Sequence, residues 1–167
     1  MRLTAITAAI VFALDQATKL VVVQGLNLAE RGVIEVFEPW LVFRMAWNRG
    51  VNFGLLASEA DIVRWALIAL AVVISAWVWL WVRREGGSRW TLISAGLLIG
   101  GALGNVVDRV VYGAVADFLN MSCCGIENPY AFNVADISIF AGAAGLVVFT
   151  GASGGGTAGK ARRDKTP

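Results

Sequence analysis

Residues 91–111 read TLISAGLLIGGALGNVVDRVV. The run carries no charge until Asp108, and its length suits a helix crossing a bilayer, which takes about 20 mostly apolar residues. Gly96, Gly100 and Gly104 recur every four positions, with Gly101 beside them. Residues four apart lie on one face of a helix, so these glycines form a stripe along which another helix approaches closely. At the far end Asn105, Asp108 and Arg109 stand at i, i+3 and i+4 and share one face. The stretch reads as a membrane helix that others pack upon and that ends in a polar cluster.

Three further runs have the length of a span: about 3–23, 62–82 and 134–150. The first is interrupted by Asp15 and Lys19. A cleaved leader is the competing reading, but those charges come too early and no small-residue cleavage site follows a clean apolar core, so an uncleaved span is favoured. The composition agrees: 57% of the 167 residues are hydrophobic and 16% charged, against about 25% charged in soluble domains. A net charge of +2 without a basic helix face gives nucleic acid no purchase. Arg2, then Arg83, Arg84 and Arg89, then Lys160, Arg162, Arg163 and Lys165 fall on one side if there are four spans. That side is the cytoplasm by the excess of basic residues, with both termini inside. Trp77, Trp79, Trp81 and Trp90 bracket the cytoplasmic ends of the second and third spans as an aromatic belt.

Between the first two spans, about 25–58, the pattern changes. Leu41, Phe43, Met45 and Trp47 alternate with Val42, Arg44 and Ala46, a period of two that predicts a strand. Residues 33–37 form a shorter β-rich run, and Glu38-Pro39 between them signals a turn. The expectation is a small extracytoplasmic sheet whose apolar face holds lipid or another helix. Residues 1–150 thus make one domain, and 151–167 a Gly-rich, basic, disordered cytoplasmic tail. Cys123 and Cys124 are adjacent, so a bridge between them would be strained. Without histidine or further cysteines they suggest neither catalysis nor a metal site, and they read as a local loop feature.

Charges at membrane depth are costly and point to function. Asp15 and Lys19, one turn apart, fit an ion pair that lets the first span tolerate both, a structural role favoured over a catalytic one. Asp108 can pair with Arg109 or reach Asn105 as a local clamp, while the planar fork of Arg109 also suits a phosphate or peptide carbonyl. Both readings stay open. Asn48, near Gly50, reads as a turn former. Asp117, four after Gly113, and Asp136, three after Asn133, have no cation four residues away. Either alone fits a helix-start cap. Together, at one depth on consecutive spans, they favour a dyad in which one carboxylate is ionised and the other holds a proton. Amide hydrolysis fits such a pair: one aspartate deprotonates a water and the other stabilises the carbonyl oxygen.

These motifs together resemble the lipoprotein signal peptidases (signal peptidase II), the membrane aspartic peptidases of bacteria. The matching blocks are Asp15-Gln16-x-Thr18-Lys19, Asn48-x-Gly50-x-x-Phe53, Gly104-Asn105-x-x-Asp108-Arg109, Gly113-x-Val115-x-Asp117-Phe118 and Phe132-Asn133-x-Ala135-Asp136. The resemblance implies a mainly α integral membrane fold, with four transmembrane helices and an extracytoplasmic β-cradle between helices 1 and 2. It implies an endopeptidase of the bacterial cytoplasmic (inner) membrane, its active site at the extracytoplasmic face. Such an enzyme removes the signal peptide from diacylglyceryl-modified prolipoproteins just before the lipidated cysteine. Asp117 and Asp136 would be catalytic. Asn48, Asn105, Asp108, Arg109 and Asn133 would line the site, with Asp15 and Lys19 in support. The partners implied are lipidated prolipoproteins and membrane phospholipids, for a protein acting as a monomer without metal or cofactor. Asn52 departs from the small residue usual at its position. Two other classes remain: a metal-dependent lipid-headgroup transferase built on Asp108, Arg109, Gly113 and Asp117, and an ion-coupled carrier using Asp15, Lys19, Asp108 and Asp136.

Overall fold

The computed structural model describes residues 1–50, 57–125 and 128–151. Asn52 and Phe53, and the tail 152–167 with its basic residues, lie outside them. Helix α1 (Arg2–Lys19) runs into a π-helical turn, Leu20–Gly25, so the first apolar run is Arg2–Gly25. A short α2 (Leu28–Arg31), strands β1 (Val33–Phe37) and β2 (Leu41–Asn48), and the long α3 (Ala57–Glu85) follow. Then come α4 (Arg89–Tyr112), strand β3 (Val115–Asn120) and α5 (Val134–Gly151). Three helices are long and apolar enough to cross a membrane among the described residues: Arg2–Gly25, Asp61–Glu85 and Arg89–Tyr112. Val134–Thr150 is a shorter apolar helix, near the lower limit of about 17 residues for a span.

Helix α4 is the centre of the molecule and packs against α1, α3 and α5. The glycine stripe explains how. A Cβ added at Gly96 or Gly100 would lie 2.7 Å from Thr4 O or 2.5 Å from Ala8 O, both backbone atoms of α1. One at Gly101 would lie 2.5 Å from Ala135 O of α5. The stripe thus seats α1 on one side, and Gly101 seats α5 on the other. Because backbone cannot yield as a flexible side chain does, Gly100→Ala should destabilise the protein by about 1–3 kcal/mol through overpacking. Gly25→Ala, whose Cβ would meet only Leu20 O at 3.7 Å, should move the thermal midpoint in detergent far less. Equal midpoints for the two variants would refute the close-packing account.

The ends of α4 are set by local chemistry. The Thr91 N–H donates to Ser88 Oγ at 3.1 Å, an N-cap. Gly113, at φ +76°, closes the helix and donates its N–H to Arg109 O. A left-handed turn of this kind favours glycine. It sends the chain directly into β3.

That strand revises the expected sheet, which is not confined to 25–58. The order is β1-β2-β3, antiparallel throughout, with Ala46 opposite Asp117 and Asn48 opposite Val115. Asp117 therefore sits on a strand and not at a helix start. Helix and strand side chains, not lipid, cover one face of the sheet. Phe43 and Met45 pack with Val22, Val23, Leu28, Ala116 and Phe118, and Phe43 meets Phe118 edge to face at 5.9 Å. Elsewhere the surface is apolar: Ile6, Ile10 and Leu14 form an exposed stripe on α1, and Phe140 and Val147 on α5 are each 76% exposed. Apolar surface on this scale suits lipid better than water. Trp77 stacks with Trp81, and Trp90 with Phe149, at the end of the bundle opposite the sheet.

Candidate functional site

The site forms where β3, the end of α4 and the start of α5 meet. Asn133 precedes α5, and its Oδ1 accepts the Asp136 N–H at 2.8 Å, while Asp136 Oδ2 accepts the Asn133 N–H at 3.2 Å. This reciprocal exchange is a capping box. Asp136 is therefore a helix-start cap and a candidate site residue at once. The side-chain amide of Asn133 reaches the other way and donates to Asp117 Oδ1 at 2.7 Å. One asparagine thus joins both carboxylates. Asn48 Nδ2 donates to Asp117 Oδ2 at 3.0 Å, and Asn105 Nδ2 donates to Asp136 Oδ1 at 2.9 Å. Asn48 also makes the expected turn, its Oδ1 accepting the Gly50 N–H.

Burial of Asp117, with Asp136 as a second negative charge nearby, pushes its carboxyl up to about 6. The Asn48 and Asn133 hydrogen bonds and the Lys19 charge act in the opposite direction and are outweighed.

A second polar layer lies beneath. Lys19 Nζ is 2.8 Å from Asp15 Oδ2, the predicted one-turn pair, and also 2.8 Å from Asp108 Oδ2. Asp108 therefore pairs with Lys19 and not with Arg109, which corrects the local-clamp reading. Each aspartate of this layer holds a backbone amide. Asp108 Oδ2 accepts the Ala116 N–H at 3.1 Å, and Asp15 Oδ1 accepts the Ala135 N–H at 3.0 Å. Ala116 precedes Asp117, and Ala135 precedes Asp136. Two buried carboxylates, bridged by one lysine, thus fasten the backbone immediately before each aspartate of the pair. Gln16 completes the bridge, donating to Asp15 Oδ2 and Asp108 Oδ1 at 3.1 Å each. Gln16 stands in the Asp15-Gln16-x-Thr18-Lys19 block, which gives it no role of its own.

Arg109 donates from Nη1 to Asn105 O at 3.3 Å, while its buried Nε has no partner among the described residues. With Asn105 it lines a cavity of about 330 Å³ between α3, α4 and α5. Leu67, Leu70, Ile74 and Ile139 supply apolar wall. Donors at one end and hydrocarbon along the sides suit a ligand that is part peptide and part lipid-soluble. Among the described residues, no group of three or more His, Cys, Asp or Glu is arranged to hold a metal ion.

Comparison with known proteins gives a consistent picture. The family model described as signal peptidase (SPase) II matches residues 7–151. A lipoprotein signal peptidase of Methylobacterium sp. (strain 4-46) is 45% identical over 144 residues, covering 86% of each chain. One from Rhodopseudomonas palustris (strain TIE-1) is 37% identical over 150 residues, 88% of this chain and 90% of that one. Two solved bacterial membrane enzymes share the fold. One has a TM-score of 0.70 at 22% identity, covering 98% of this chain and 94% of its own. The other has a TM-score of 0.71 at 24% identity, covering 87% and 90%.

Proposed function

Because the chain belongs to the lipoprotein signal peptidase (signal peptidase II) family, multi-pass membrane enzymes that remove signal peptides from lipoproteins, we propose that it does so as an aspartic endopeptidase with Asp117 and Asp136 as the catalytic pair. The observation that carries this reading is the bridge through Asn133, whose side chain holds Asp117 while its backbone N–H and Oδ1 hold Asp136. The substrate is a prolipoprotein bearing a diacylglyceryl cysteine, cut just before that residue. The apolar cavity beside Arg109 accommodates its hydrocarbon part, and the Arg109 guanidinium serves a substrate carbonyl. Four spans in the bacterial inner membrane, with both termini cytoplasmic, put the pair at the extracytoplasmic face. The Arg83, Arg84 and Arg89 cluster at the opposite end of α4 supports that orientation. Asp15, Lys19, Asp108, Asn105 and Asn48 hold the pair in place. No nucleic acid, metal or cofactor takes part, and one copy in contact with membrane phospholipid suffices.

The chemistry divides between the two carboxyls. Asp117, whose carboxyl is pushed up to about 6, holds the proton. Asp136, which accepts from Asn105 Nδ2 and the Asn133 N–H, is then the ionised partner, because two adjacent carboxyls share one proton. Asp136 takes a proton from water as its oxygen bonds to the scissile carbonyl carbon. Asp117 gives its proton to the carbonyl oxygen, producing a diol intermediate. On collapse a hydroxyl proton returns to Asp117, the proton on Asp136 passes to the leaving nitrogen, the C–N bond breaks, and the pair is regenerated.

The test is the pH profile of signal-peptide removal from a diacylglyceryl-prolipoprotein, followed by gel mobility with and without a chelator. Activity should fall as pH rises through about 6, as Asp117 loses its proton, and the chelator should change nothing. In Asn48→Ala the carboxylate form of Asp117 loses a hydrogen bond that favours it, so the descending limb should move to higher pH. A limb that stays put in Asn48→Ala, or chelator-sensitive cleavage, would argue against the proton-sharing pair.

A further inference from the structure

Cys123 and Cys124 lie on the connection 121–133 between β3, which carries Asp117, and α5, which carries Asp136. Both thiols are free and exposed, and the Cys123 thiol donates to Cys124 Sγ at 2.7 Å. The turn that brings them together holds Cys124 at φ +61°, a conformation uncommon outside glycine. Described residues on either side of them are held by hydrogen bonds. Asn120 Nδ2 donates to Asn128 O and Tyr130 O at 2.7 and 2.9 Å, and the Asn128 N–H donates to Ser122 Oγ at 3.0 Å. The two sulfurs are thus presented side by side on a built turn.

We propose that Cys123 and Cys124 form a reversible vicinal dithiol–disulfide site, which closes on itself and so releases either sulfur from a mixed disulfide with another molecule. Its relevance in the cell rests on the extracytoplasmic placement proposed above, since disulfides persist in oxidising compartments; the chemistry itself does not. The oxidant is a disulfide, either a small molecule such as oxidised glutathione or a protein. The Cys123 thiol is held above the usual range because it donates to Cys124. In the first step Cys124, the accepting sulfur, gives its proton to solvent and attacks the oxidant. It bonds to one sulfur of the oxidant and expels the other as a thiol. Cys123, giving its proton to solvent, then attacks Cys124 Sγ, the mixed disulfide breaks and the second thiol leaves. Two S–H bonds are lost, one S–S bond forms, and the oxidant is reduced to two thiols. The second step is intramolecular and outruns competing thiols. Adjacent Cα atoms lie about 3.8 Å apart, short of the usual disulfide separation, so the ring is also readily reopened.

The experiment uses the full chain in detergent, equilibrated across ratios of reduced to oxidised glutathione, quenched with acid, alkylated and weighed intact. Wild type should pass from two alkylated thiols to none, with the loss of two hydrogen masses, and should recover both thiols in dithiothreitol. It should run as a single chain without reductant throughout. Cys123→Ser and Cys124→Ser, each with one thiol, should instead carry a glutathione adduct or form cross-linked dimers under the same oxidising buffer. The proposal is overturned if wild type keeps both thiols at every ratio, or accumulates adducts and dimers as the single variants do. These masses are read independently of peptidase activity, so failure of the catalytic reading and failure of the redox site are separate results.

Discussion

Asp117→Asn and Asp136→Asn should each lower prolipoprotein cleavage by about 10³–10⁴-fold or more, while leaving a folded membrane protein. Asparagine keeps the size of the side chain and one carbonyl oxygen, so the hydrogen bonds of Asn48, Asn105 and Asn133 to the pair lose about one partner in each variant. That costs about 1 kcal/mol. What disappears entirely is the ability to take or give the proton. If the two carboxyls act as one unit, the double variant should be no worse than either single one.

Stability moves the other way at Asp117. Its folded pKa of about 6 lies above the unfolded value of 3.8, so the folded state binds the proton more tightly. Between those values, rising pH costs the folded state stability, and above about 6 the whole penalty is present. Asp117→Asn should therefore match or exceed the wild-type thermal midpoint at pH 8 while cleaving nothing measurable. Retained cleavage in either variant would remove that aspartate from the pair. A collapsed midpoint for Asp117→Asn at pH 8 would show that its role is structural.

What could be read in the sequence follows the distance over which each interaction acts. The helices appeared within a few residues, because apolar length is a local property, and the glycine stripe of α4 was visible because its spacing is. The Asp15–Lys19 pair was legible for the same reason. Strand β2 announced itself by alternation, but β3 did not. Val115, Ala116 and Phe118 are all buried, so the strand is covered on both faces and shows no period of two. Its partner β2 also precedes it by two whole helices. The role of Asp108 was hidden likewise. Local spacing offered Asn105 and Arg109, whereas the structure brings Lys19 and Gln16 from α1. Only the close approach of α1 to α4 makes that possible, and Gly104 permits it: a Cβ there would stand 2.5 Å from Asp15 Oδ2. At Asp136 capping and proton transfer are compatible, since one oxygen caps and the other meets Asn105.

Lys19→Met should be the most destabilising single change in the buried layer, by about 3–5 kcal/mol, because it leaves the Asp15 and Asp108 carboxylates facing each other without a cation. The side chain of Lys19 is 8% exposed, and those of Asp15 and Asp108 are 0% and 1% exposed, so water cannot take over its work. The same two carboxylates hold the Ala116 and Ala135 amides, so their separation displaces both β3 and the start of α5. The losses should nonetheless appear mainly in yield and thermal midpoint, with turnover per folded molecule falling less, since Lys19 touches neither Asp117 nor Asp136 by a hydrogen bond. A compensated variant separates charge from shape. Asp15→Asn, Lys19→Met and Asp108→Asn together remove all three charges while leaving carbonyl oxygens to accept the two amides. It should recover much of the midpoint lost in Lys19→Met alone. A stability for Lys19→Met within about 1 kcal/mol of wild type would mean the bridge carries little. A compensated variant no more stable than Lys19→Met would mean that the lysine's packing matters, and not the charge it neutralises.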